Sequence, residues 1–303
     1  MTRSAAPPIL GRVLCRLTAV LLAALSLACA APVERIVDLR SGRVVERTEL
    51  LAAIRASDFA LLGEKHDNPL HHAYRGELIA ALGETRAAAV AEHLPAGTTV
   101  HFDGDLRANL VAAGFEARLW DWPVHEPLFA AVARSGLTLH GGNAAREDVR
   151  AVARGGEAAL PPALAALLRD APLTSAAQAE LDADLLGSHC GQLSAEHVPA
   201  MRWAQRARDA AMALALLDAQ RSDGARPVLL LAGNGHVRTD YGVGQVLEAR
   251  QPHARVVSVA FADDESLPAP GASAPFDYLW LTTPPPQRGD PCAGVKMPVA
   301  PAR

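Results

Sequence analysis

Four short apolar runs in this 303-residue chain stop at side chains able to hold protons, metal ions or charged ligands. Phe59-Ala60-Leu61-Leu62 leads into Gly63-Glu64-Lys65-His66, and Ala87 to Ala91 leads into Glu92-His93. Leu137-Thr138-Leu139 leads into His140-Gly141-Gly142-Asn143, and Val228 to Ala232 leads into Gly233-Asn234-Gly235-His236. Glu64 and His66 are two residues apart, so they face the same side of a continuing strand. A carboxylate beside an imidazole can orient it and raise its basicity as a general base, or share a metal ion with it. A divalent ion held by Glu64, His66 and His236 would be Mn, Co or Zn, given such donors. The plain alternative has Glu64 capping the next helix and His66 exposed. Gly233 and Gly235 stand where backbone turns tightly or approaches a ligand closely. Their spacing fits neither a P-loop nor a dinucleotide fingerprint.

Other residues add to this set with less force. Arg238 can pair with a carboxylate of a bound ligand. Gln205, Asp209 and Met212 share one helix face by their i, i+4, i+7 spacing, which turns Asp209 toward a pocket or leaves it to pair with Arg206. His71 and His72 fall on the first turns of a helix and read as solvated. His101, His125, His197 and His253 have no local partners that raise them above background. Trp120-Asp121-Trp122-Pro123 puts two large aromatics in a loop, as a ligand wall or as a core contact. The sequence holds no nucleophile elbow, HExxH string or cysteine cluster.

The elements that must position these residues alternate short apolar runs with longer helical patterns. This is the rhythm of an α/β fold with a mostly parallel sheet flanked by helices. In such sheets ligands bind outside the carboxyl ends of the strands, so four polar endings would converge on one rim. The spacing predicts an N-terminal hairpin over 33–45, a helix over 48–56 and a helix from Pro69 to about Leu82, with Asn68 and Pro69 as its start signal. Further helices are expected over 102–114, 126–135, 144–154 and 244–250, and a further core strand over 255–261. Residues 157–224 carry no strand signal and read as a helical insertion of three helices, the last starting near Pro199. Asp277 to Leu281 is expected to be an edge strand. The α/β domain spans 33–283, and 284–303 is a proline-rich C-terminal tail.

Half of the residues are hydrophobic, 20% are charged, and the formal net charge is -4. That composition excludes a disordered chain and a basic nucleic-acid surface. Aromatic residues make up 4%, which argues against base- or sugar-stacking platforms. Arg3, Arg12 and Arg16 precede an apolar run from Leu17 to Ala28, the pattern of an export signal over 1–28. That run is too short for a comfortable membrane span. Ala28-Cys29 at its end matches a bacterial lipoprotein signal, with Cys29 as the lipidated residue; ordinary cleavage near Ala30 is the alternative. An exported chain meets an oxidising compartment, where Cys190 and Cys292 either form a disulfide or stay unpaired.

The strings Leu61-Leu62-Gly63-Glu64-Lys65-His66-Asp67-Asn68-Pro69 and Leu231-Ala232-Gly233-Asn234-Gly235-His236-Val237-Arg238 closely resemble the ChaN-like family, the haem-binding uptake branch of the Tiki superfamily. Gln205 to Ala213, Gly141 to Arg146 and His189-Cys190-Gly191 resemble motifs of the same family. The match runs over about 58–250, in order. The resemblance implies an exported, lipid-anchored protein of the cell envelope, periplasmic or on the outer membrane, that takes part in haem or iron uptake. It also implies a pocket built from Glu64, His66, Glu92 and His236; Asn143, Arg146, Asp209 and Arg238, read from their own positions, are further ligand-binding candidates in the same rim. Tyr241, Tyr74, His66 and His236 are the axial-ligand candidates for haem iron, and Arg238 or Arg146 would pair with its propionates. Two subunits can sandwich such a ligand, so a homodimer is compatible with the resemblance. A metal-dependent hydrolase, peptidase or esterase, using Glu64, His66 and His236 is the alternative. The sequence departs from the family at Glu92-His93-Leu94-Pro95, where Glu-Met and an aromatic are more usual, which leaves the role of His93 open.

Overall fold

Short, continuously apolar runs set the centre of the molecule. The computed structural model describes residues 34–285, apart from 84, 191, 264–270 and 272–273. The expected signal segment with Cys29, and Cys292 with the tail beyond residue 285, lie outside the described residues. Nine strands form one sheet in the order β2-β1-β9-β8-β3-β7-β4-β6-β5. They are β1 (Arg35–Asp38), β2 (Arg43–Val45), β3 (Phe59–Leu62), β4 (Ala88–Pro95), β5 (Thr99–Val100), β6 (Thr138–Asn143), β7 (Val228–Leu231), β8 (Val256–Ala262) and β9 (Tyr278–Leu281). The six strands from β9 to β6 in that order run parallel. The hairpin β1–β2 adds antiparallel to β9, and β5 adds antiparallel to β6.

Each central strand buries both faces, as parallel sheets require. Phe59, Leu61, Ala88, Val90, Val228 and Leu230 face the long helix Val198–Asp223 and the helix Val243–Arg250. Ala60, Leu62, Ala89, Ala91, Leu229 and Leu231 face the helices Arg47–Ala56, Pro69–Leu82 and Glu126–Arg134. The result is a three-layer α/β/α fold. Between β6 and β7 lie the helices Arg146–Gly155, Pro162–Asp170, Ser175–Ser188 and Val198–Asp223. The first turns of Pro69–Leu82 follow the expected chemistry: the Asn68 side chain accepts from the Leu70 amide, and Pro69 needs no partner for the hydrogen it lacks.

Four expectations change. The strand over 277–281 is internal, not an edge, because β1 of the N-terminal hairpin covers it. The second and third core strands run further than their apolar runs: β4 continues through Glu92 and His93 to Pro95, and β6 reaches Asn143. The helix expected over 102–114 is shorter, Leu106–Ala112, with the two-residue strand β5 before it. His71 and His72 are fully buried instead of solvated, because the helix that carries them lies flat against the sheet. No helix among the described residues is long and apolar enough to cross a membrane.

Gly63 marks the point where β3 gives way to the polar ending. A side-chain carbon there would collide with the Asn234 Oδ1 atom and would lie 2.8 Å from Val237 Cγ2 and 3.1 Å from the Val259 carbonyl. We expect Gly63→Ala to cost about 1–3 kcal/mol through overpacking, read as a lower urea midpoint with an unchanged slope.

Candidate active site and cavity

Parallel register brings the polar endings together. Leu62, Leu231, Ala91 and Gly141 form one row across β3, β7, β4 and β6. The residues just past that row, Glu64, Gly233, Glu92, His93 and Asn143, make a rim at the carboxyl ends of the strands. Two groups of ionisable side chains sit there, on opposite faces of the sheet.

The first group lies on the face of the helix Pro69–Leu82. Glu64 is buried, and its two oxygens have different partners. Oε2 meets the guanidinium of Arg75, itself fully buried, and lies 3.0 Å from His72 Nδ1. His72 Nε2 lies 2.9 Å from the His66 carbonyl, to which it donates. That fixes the tautomer, so His72 Nδ1 accepts from Arg75 Nη2 at 2.9 Å. Oε1 faces three other imidazoles: His66 Nδ1 at 2.7 Å, His93 Nε2 at 3.2 Å and His125 Nε2 at 3.6 Å. One ligating atom each from Glu64, His66, His93 and His125 lies within 4.8 Å of the others. Neither ring nitrogen of His125, nor His93 Nδ1, has a hydrogen-bond partner among the described residues. Burial lowers the pKa of His72 to about 4 and pushes His93 and His125 well down, so all three are neutral at pH 7. Trp120 and Phe129 pack around them: the Trp120 ring centre is 4.4 Å from that of His93 and 5.1 Å from that of His66.

The second group lies on the face of the long helix. His236 Nδ1 is 2.6 Å from Asp209 Oδ1, and its Nε2 is 3.3 Å from Glu92 Oε1. Glu92 Oε2 accepts from the Gly233 amide at 2.8 Å. Burial alone would lower the His236 pKa, but the carboxylates of Glu92 and Asp209 outweigh it and raise the value to about 10. Burial pushes Glu92 up, and the His236 charge and hydrogen bond pull it well below its ordinary range. Asp209 stays raised, because burial exceeds what His236 returns to it. The helix-face spacing of Asp209 therefore leads to His236. Arg206 does not pair with it; its guanidinium donates to the Tyr241 and Ala171 carbonyls.

A cavity of about 1010 Å³ opens outside this rim. Leu94, Leu119, Trp120 and Val149 supply apolar wall; Arg146, Arg150 and Arg208 supply positive charge. His66, Glu92 and Asn143 line it, as do His93 and His125. The His66 side chain is 46% exposed. Asn143 donates to the Glu92 carbonyl at 3.0 Å. Glu64, Asp209 and His236 sit behind the wall. Arg238 is turned aside, to Asp240 and Asp184. Tyr241 donates to Asp184 Oδ2 at 2.6 Å and packs under the helix Ser175–Ser188. Tyr74 stacks on Trp280 in the core on the other side of β3. Neither tyrosine lines the cavity, so of the four axial candidates His66 alone does. His236 is not part of the cluster that gathers around Glu64; His93 and His125 take that place, and the long reach of β4 is what turns His93 inward. Cys190 is disulfide-bonded.

The fold and site define a three-layer α/β domain with a histidine- and carboxylate-rimmed cavity at the carboxyl ends of its parallel strands. Residues 50–247 match the family described as haem-binding uptake, Tiki superfamily, ChaN, and the chain belongs to that family. Among solved structures, one described as cofacial haem binding to ChaN of Campylobacter jejuni shares the fold: TM-score 0.66, 17% identity, covering 84% of this chain and 98% of that one. A mutant of the erythromycin esterase EreC in its open conformation is a more distant likeness, with TM-score 0.40, 15% identity and 83% of each chain covered. No curated protein sequence matches.

The His236 clamp has a pH signature. Its folded value of about 10 lies above the ordinary value of 6.5, so its contribution is complete below about 6.5 and is lost as pH rises through about 10. We expect His236→Asn, which leaves two buried carboxylates without their cation, to cost about 3–5 kcal/mol at neutral pH. The gap to the parent protein should narrow steadily as denaturation is repeated from neutral pH up to about pH 10.

Proposed function

We propose that this protein binds haem in the cavity outside the strand ends, as part of haem or iron uptake at the cell envelope. The observation that carries the reading is a cavity of about 1010 Å³, with apolar walls and three arginines, in a chain of the haem-binding uptake family. A porphyrin is broad, flat and apolar with two carboxylates at one edge, and it needs such a slot with basic partners and one axial donor. Leu94, Leu119, Trp120 and Val149 would bound the ring. Arg146, Arg150 and Arg208 would meet the propionates by charge-assisted hydrogen bonds.

His66 would hold the haem iron in this reading. Its Nδ1 faces Glu64, which holds the ring and leaves Nε2 as the available lone pair. The bound haem iron supplies the chemistry of the site, and the chain supplies placement, charge pairing and a dry wall. The export signal over 1–28 and the lipid attachment at Cys29, both read from sequence, fit a protein that handles haem outside the cytoplasm. The ChaN of Campylobacter jejuni, which shares the fold, is described as binding haem cofacially, and that supports haem as the ligand.

Titration of the purified protein with hemin tests the reading. We expect a saturable shift of the Soret band. His66→Ala should weaken binding about tenfold, a loss of ~1.4 kcal/mol, and should change the spectrum of what remains. Arg146→Ala combined with Arg150→Ala should weaken binding to a similar extent without changing the spectrum. An absorbance that follows free hemin at every ratio would remove the proposal.

A further inference from the structure

We propose that Glu64, His93 and His125 form the core of a divalent transition-metal site behind the cavity wall, completed by His66 Nδ1 in the haem-free protein. The inference does not rest on haem binding. It replaces the trio Glu64, His66 and His236 with a different donor set, because His236 is committed to Glu92 and Asp209 on the other face of the sheet.

Three observations carry it. The first is geometric. Glu64 Oε1 has nitrogen atoms of His66, His93 and His125 at 2.7, 3.2 and 3.6 Å, and all four donor atoms lie within 4.8 Å of one another. Donors at about 2.0–2.2 Å from a tetrahedral ion are separated by comparable distances.

The second is polar satisfaction. His125 is 1% exposed, and both of its ring nitrogens lack a hydrogen-bond partner among the described residues. A buried imidazole in that state costs stability unless something meets its lone pair. Its Nε2 points at the same carboxylate oxygen as His66 and His93.

The third is the surrounding layer. Metal-bound carboxylates are held by outer hydrogen bonds. Arg75 holds Glu64 through Oε2, and His72, tied to the His66 carbonyl, holds Arg75. This chain of contacts turns Oε1 toward the imidazoles and leaves it to act as a single-oxygen donor. Three imidazoles and one carboxylate oxygen form a donor set of nitrogen and oxygen without sulfur. That favours Zn(II), Co(II) or Ni(II) over Mg or Ca, which take oxygen shells, and over Cu(I), which takes thiolates.

The test uses the purified full chain, freed of metal with chelator and kept free of hemin. Added Co(II) should bind at one equivalent with the visible bands of a tetrahedral site, and Zn(II) should displace it. His125→Phe fills the same space without an unpaired nitrogen, so it should fold and should bind Co(II) at least tenfold more weakly. His140→Ala, which alters an imidazole outside the group, should bind as the parent does. If His125→Phe does not fold, the parent decides the matter by NMR: Zn(II) should shift the imidazole resonances of His66, His93 and His125 together. Absence of one-equivalent binding by the parent would overturn the proposal. So would undiminished binding by folded His125→Phe, or Zn(II) shifts confined to exposed histidines. Hemin titration in metal-free buffer reads the haem proposal separately, so either can fail alone.

Discussion

A carboxylate buried at the end of β3 is the constraint around which the rim is arranged. Glu64 lies where the sheet ends and the helix Pro69–Leu82 begins, with no water-facing surface on its side chain. An unpaired charge in such a place is costly, and pairing compensates only when the geometry is good and the remaining polar atoms are met. Arg75 meets that need from one helical turn after His72, and both donate or accept within the same short chain of contacts. The helix that carries them must therefore lie flat against the sheet. Its start is fixed by Asn68 and Pro69, whose positions set which side of each turn faces Glu64. Cap, helix face and ion pair are thus one construction.

The pleat of β4 then divides the site in two. Glu92 continues the face of Ala88 and Val90, and His93 continues that of Ala89 and Ala91. Adjacent residues in sequence consequently join different groups. Glu92 enters a charged clamp with His236 and Asp209. His93 enters a group of neutral imidazoles around Glu64. The same chemistry, carboxylate beside imidazole, has opposite outcomes on the two faces. Two carboxylates against one imidazole hold His236 in its cationic form. Several imidazoles around a carboxylate already paired with Arg75 stay neutral and keep their lone pairs.

Much of this was legible in the residues. The four strand endings, the α/β alternation and the Asn68-Pro69 start are local signals, and local signals survive into the structure. So is the helix-face spacing that turns Asp209 toward the rim. What stayed hidden was set at long range. His125 has no informative neighbours; its position depends on the helix Glu126–Arg134 packing beside Pro69–Leu82, which no spacing rule encodes. His93 was obscured because apolar content marks strand ends poorly: β4 runs on through Glu92 and His93 once β6 extends beside it to Asn143. The burial of His71 and His72 had the same cause, a helix pressed to the sheet on a face that includes polar residues. Tyr241 and Tyr74 were equivocal for the opposite reason. An isolated tyrosine carries no directional signal, and here one packs against Asp184 while the other stacks on Trp280.

His66 lies between the group around Glu64 and the cavity. It lies two residues past the buried carboxylate, its side chain is 46% exposed, and it lines the cavity together with Trp120, which packs against its ring. A side chain on Gly233 would lie 3.0 Å from its Nε2 and 3.6 Å from Glu92 Oε2. The missing side chain at Gly233 is therefore what lets an imidazole fixed by Glu64 approach a carboxylate fixed by His236. Any larger residue there would push the ring toward the cavity or the carboxylate toward the long helix. The glycine is a demand of the site, placed where β7 ends and the two groups come closest.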